Sequence, residues 1–73
     1  MTPTIGKFYY IDYKDAEQPK GSYFGIARCV GKYERDENGQ NLKEPFYEFE
    51  HPLNDHGMVR QLYVSREIIM EAK

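Results

Sequence analysis

SYFGIARCVGKY, residues Ser22 to Tyr33, is the longest β-like run in the chain, and the flanking segments read as strands laid against it. Aromatic and β-branched residues stand at Tyr23, Phe24, Ile26, Val30 and Tyr33, as suits a pleated, half-buried surface. Side chains alternate along a strand, so Ser22, Phe24, Ile26, Arg28, Val30 and Lys32 share one face. Tyr23, Gly25, Ala27, Cys29, Gly31 and Tyr33 share the other. The middle of that second face is narrow, because Gly25, Ala27, Cys29 and Gly31 are all small. Glycines inside a strand mark a bend, a bulge or a close backbone approach. A bent central strand is what a small closed barrel requires.

Before the central run, Ile5 to Lys14 (IGKFYYIDYK) reads as a strand with aromatics on both faces. Tyr9, Ile11 and Tyr13 are expected inward, since the opposite choice would bury Asp12 without a partner. The other face, with Phe8 and Tyr10, is either covered or an exposed aromatic patch. Met1–Thr4 reads as a loose end or an edge extension, and Asp15–Gly21 as a mobile loop. After the central run, Asn38-Gly39 inside the polar stretch 34–44 predicts a hairpin tip, since both residues tolerate positive φ. The chain then returns through Pro45–His51, with Tyr47 and Phe49 on one face and Phe46, Glu48 and Glu50 on the other. His51–Met58 reads as a turn and Val59–Val64 as a strand. Ser65 has the character of a helix N-cap with Glu67 in the first turn, which predicts a short C-terminal helix packing Ile68, Ile69 and Ala72.

The expected architecture is therefore all-β, or β-rich. It is a single domain over residues 1–73, a small barrel of four to five bent antiparallel strands with a short C-terminal helix. A core of this size supplies about 3–5 kcal/mol of net stability. Cys29 is the only cysteine, so no intramolecular disulfide forms and no cysteine-based zinc site can be built within one chain. It reads as a small buried hydrophobe in a reducing, cytoplasmic protein. No apolar run approaches membrane-spanning length, and the N-terminus lacks the pattern of a signal peptide. The net charge of −2 argues against a protein whose main task is to neutralise phosphates.

The order Gly6-x-x-Tyr9, Tyr23, Ile26-Ala27-Arg28-Cys29-Val30, Tyr47-x-Phe49, Asp55-x-Gly57 and Leu62 resembles the SH3-like barrels, and among them the Tudor-type barrels. That resemblance implies binding of peptides, modified side chains or nucleic acid. It also implies an aromatic cage for methylated Lys or Arg, with Tyr9 or Tyr10, Tyr23 and Tyr47 as its rings. The absence of tryptophan counts against a cage.

Chemistry is sparse. His51, Asp55 and His56 have metal-binding residue types, but without a second ligand cluster they read as a solvated turn. Cys29, Ser22, Ser65 and the two histidines do not assemble a recognisable catalytic set, so no catalysis, metal or cofactor is expected. Charge is uneven: residues 34–50 hold six carboxylates against Arg35 and Lys43. With 7 Tyr and 4 Phe, two or three aromatic rings are expected on the surface. The expected partner-binding residues are Tyr10, Tyr23, Tyr33, Glu34, Asp36, Glu37, Phe46, Glu48 and Glu50. They suit docking onto a basic surface of a larger protein, as an adaptor or an inhibitor. A short chain of this kind resembles small proteins of phages and mobile elements that block nucleic-acid-handling enzymes. The alternative is a reader of nucleic acid or modified peptide that uses Lys7, Lys14, Arg28 and Lys32 with interleaved tyrosines. No membrane partner is expected, and a homodimer through an exposed strand is compatible with either reading.

Overall fold

The computed structural model describes residues 1–73. Five antiparallel strands form one sheet: β1 (Phe8–Tyr13), β2 (Tyr23–Arg35), β3 (Asn41–Pro52), β4 (Met58–Tyr63) and β5 (Ile68–Glu71), in the order β4-β3-β2-β1-β5. The sheet is open, with β4 and β5 as its edges. Strand β2 organises it, as its length and composition predict. Its first half pairs β1 and its second half pairs β3, and Arg28 lies opposite both Phe8 and Glu50.

The glycine-rich centre of β2 has two consequences. At Gly25 an added Cβ would lie 2.9 Å from the Tyr23 hydroxyl oxygen, so only a glycine lets that ring lie along the strand. Farther on, the register shifts between Cys29 and Gly31, which makes Val30 the extra residue of a bulge. The bulge inverts the expected alternation. Beyond it Lys32 lies opposite Tyr47, its ammonium 5.8 Å from that ring, whereas Gly31 lies opposite Glu48 and Tyr33 opposite Phe46. Strict two-residue periodicity would have put Tyr33 with the core, and it is instead exposed.

Tyr9, Ile11, Ala27, Cys29, Tyr47, Phe49, Tyr63 and Ile68 form the core. Phe49 is fully buried, with its ring edge-to-face against Tyr9 and Tyr63, each at 6.0 Å between centroids. The inward choice of Tyr9, Ile11 and Tyr13 agrees with the structure: the first two are buried and the third packs on the core. Cys29 is buried and free, as expected.

Several local expectations are corrected. The C-terminal segment is not a helix. Ser65–Glu67 makes one 3-10 turn, held by the Val64 N–H donating to Glu67 Oε1 at 2.9 Å, and the chain then extends as β5. The β-branched pair Ile68-Ile69 suits a strand, and the free edge of β1 offers backbone partners that an isolated two-turn helix lacks. At the hairpin tip only Gly39 has positive φ. The Gly39 N–H donates to the Asp36 carbonyl, and Asp36 Oδ1 accepts from the N–H groups of Asn38 and Gln40, both at 2.9 Å. That is a turn begun by an Asp side chain and closed by one left-handed glycine. The N-terminal stretch is tied down rather than loose: Pro3 is buried, Thr4 N–H donates to the Tyr9 hydroxyl, and Met1 O accepts from the Ser65 hydroxyl. The Asp15–Gly21 connection is likewise organised, with Asp15 Oδ1 accepting from the N–H groups of Glu17 and Gln18.

Candidate functional site

Two exposed surfaces and one buried polar cluster hold the side chains with chemistry to offer. The first surface is the arm formed by the end of β2 and the start of β3, residues 34–45, which contributes no residue to the core. At its root the Tyr33 hydroxyl donates to Glu48 Oε1 at 3.2 Å, across Gly31, with Phe46 opposite Tyr33 in register. Glycine at 31 leaves room for this latch, since a Cβ there would meet Glu48 Oε1 at 3.3 Å. Part of the acidic charge is already balanced. Glu34 pairs Lys32 at 3.0 Å, and Glu50 pairs Arg60 at 3.5 Å. Hydrogen bonding and charge from Glu34 hold the Lys32 ammonium above its usual pKa. Asp36 is committed to the turn, and Glu37 has no ion-pair partner.

Of the nine expected contact residues, Tyr33, Glu34, Asp36, Glu37, Phe46 and Glu48 are brought together on or beside the arm. Glu50 sits farther along β3, and Tyr10 lies on β1. Tyr23 is half-buried: its ring stacks on His51 at 3.6 Å between centroids, and its hydroxyl donates to the Ile26 carbonyl. The rings considered for a cage do not converge on an open cavity either, because Tyr9 and Tyr47 are buried in the core.

The second surface extends the Phe8 and Tyr10 face of β1, which the sequence leaves as either covered or exposed. Phe8, Tyr10, Phe24, Ile26 and Met70 are all exposed. Tyr10 lies opposite Ile26 on one side and Met70 on the other, Phe8 opposite Arg28, and Phe24 opposite Asp12. The alternation of Phe8 and Tyr10 with the inward Tyr9, Ile11 and Tyr13 carried the signal. Met70 could not be added while its segment read as helix.

The buried cluster replaces the expected solvated histidine turn. His51 is 1% exposed. Its Nδ1 lies 2.8 Å from the Pro52 carbonyl, which can only accept, so Nδ1 carries the proton. Nε2 then accepts from the Tyr63 hydroxyl at 2.6 Å. Both ring nitrogens are thus engaged, and His51, Asp55 and His56 do not gather into a metal-binding group. Two shallow open depressions remain. One, of about 360 Å³, is lined by Lys32, Glu34, Asn41, Leu42 and Pro45. The other, of about 350 Å³, is lined by Lys20, Asn54, Asp55 and His56. Neither has the largely apolar lining typical of a small-molecule site.

Burial, with Glu67 adding repulsion, raises the Tyr63 phenol well above its ordinary value of 10.0. Burial also raises Tyr23. Below about pH 10 these phenols are protonated in both folded and unfolded chains, so their contribution to stability is complete. Above it the unfolded chain releases protons that the folded chain retains. Stability therefore falls as pH rises past about 10. Urea midpoints measured from pH 7 to 11 check this, and the decline should be shallower in Tyr63→Phe. An equal slope in both proteins would remove Tyr63 as the cause.

No protein-family model, no curated protein and no solved structure matches the chain. No helix is long and apolar enough to cross a membrane.

Proposed function

We propose that this protein is a non-catalytic binding module that docks its acidic arm onto a basic surface of a larger protein, as an adaptor or an inhibitor. The observation that carries this reading is the Tyr33–Glu48 latch with Phe46 beside it, at the root of an arm that leaves the core untouched. Aromatic rings rimmed by charge suit a protein interface, and the arm's carboxylates would steer encounter with a cationic partner. Small proteins of phages and mobile elements that occupy nucleic-acid-handling enzymes are the analogy we favour, with a cytoplasmic setting. An SH3-like barrel is the fold that goes with this proposal. It is supported by the meander order, by β2 shared between β1 and β3, and by the 3-10 turn ahead of a short β5 that returns to β1.

A nucleic-acid reader is the less favoured reading, because the cations it needs are dispersed. Lys7 pairs Glu71 at 3.9 Å, Lys32 pairs Glu34 beyond the bulge, Lys14 lies in the connection just past β1, and Arg28 lies on β2. The test is capture from nuclease-treated lysate with three baits: the native chain, Glu37→Lys/Glu48→Lys and Lys14→Glu. A protein held by the native chain and by Lys14→Glu, but lost with the double variant and weakened by salt, is the expected result. Capture that nuclease abolishes, or that the double variant leaves intact, overturns it.

A further inference from the structure

The apolar face of β5, β1 and β2 is separate from the arm, which begins only beyond Tyr33, and its charges complement those of an identical surface. We infer that this face pairs with the same face of a second copy of the chain, making a symmetric dimer. Its five apolar side chains, Phe8, Tyr10, Phe24, Ile26 and Met70, are between 41% and 64% exposed. Together they present on the order of 400–600 Å² of apolar surface, at the upper limit of what a monomeric protein leaves uncovered.

Two unpaired charges of opposite sign flank this patch. Arg28 sits at one end, in register with Phe8, and Asp12 at the other, in register with Phe24. Neither has an ion-pair partner in the chain. Glu50, across the ladder from Arg28, is bound to Arg60 instead. The two charges occupy opposite strands as well as opposite ends, so they lie on a diagonal of the patch. A two-fold axis lying in the interface, across that diagonal, brings each Arg28 over Asp12 of the other copy. Tyr10 and Ile26 then meet their counterparts at the centre. A two-fold interface requires this kind of self-complementarity. A foreign partner has no reason to require an arginine and an aspartate placed in this way.

The area also sets the strength. Two such faces remove on the order of 1,000 Å² in total, at the low end of specific interfaces, so the dimer should be present at about 100 µM and dissociated at about 1 µM. Sedimentation velocity across that range, on the full chain, reads the equilibrium directly. Ile26→Glu should abolish association. Arg28→Asp and Asp12→Arg should each weaken it about tenfold, by setting like charges against each other, and the double swap should restore it. All three substitutions are at exposed positions, and circular dichroism verifies that each of the four variants is folded. A chain that stays monomeric at every concentration overturns the inference and leaves the face to a different occupant. So does association that Ile26→Glu does not change, or a double swap weaker than either single one.

Discussion

Phe49→Ala should bring the chain to the edge of unfolding at 25 °C, with folded and unfolded populations comparable. Phe49 is 0% exposed, and its ring is the one that touches both Tyr9 from β1 and Tyr63 from β4. It thus joins the two wings of the sheet through the core. Truncating a buried phenylalanine costs about 3–5 kcal/mol, from lost transfer energy and the cavity left behind. The whole domain has about 3–5 kcal/mol to lose, because its core is small and its single cysteine allows no intramolecular disulfide. The two figures are of the same size, so the variant's net stability lies near zero, and its urea transition should lose its folded baseline. Phe49→Leu, which keeps most of the volume, should fold with a lowered midpoint. A cooperative transition in Phe49→Ala close to that of the native chain would mean the core is held mainly by other contacts.

The same strand shows how much of the fold could be read without coordinates. Tyr47 and Phe49 alternate with Phe46, Glu48 and Glu50 in the sequence, and the structure keeps that alternation. On β1 the cost of burying Asp12 was enough to choose the inward face. Reading failed where tertiary context decides. The bulge at Val30 depends on how β3 meets β2, and no local signal separates it from a straight strand through Gly31. Ser65 and Glu67 do form a capped turn, but whether a helix follows depends on the free edge of β1, distant in sequence. The candidate surfaces follow the same division. The acidic arm was legible from composition, and its internal ion pairs were not. The apolar face was half legible in Phe8 and Tyr10, and became a contiguous patch only once Ile26 and Met70 were in register beside them.

His51 was misread for a related reason, and it carries the second large effect. Flanked by Pro52, Asn54 and Asp55, it looks like part of a polar turn. Register with Val59 on β4 keeps it inside the sheet, and the phenol of Tyr63 gives it a donor there. Tyr63→Phe removes that donor and leaves Nε2 buried with no partner, at a cost of about 1–3 kcal/mol. His51→Leu removes the acceptor, strands the Tyr63 hydroxyl and takes away the ring on which Tyr23 stacks, so it should cost at least as much. With both substitutions neither Nε2 nor the Tyr63 hydroxyl is left without its partner, and replacing both partners of a buried hydrogen bond by apolar groups is close to neutral. The double variant should therefore be more stable than the sum of the single losses implies, by about 1–3 kcal/mol in a urea-unfolding cycle. Simple additivity would mean that the 2.6 Å contact contributes nothing of its own, and that His51 matters only as a flat ring beneath Tyr23.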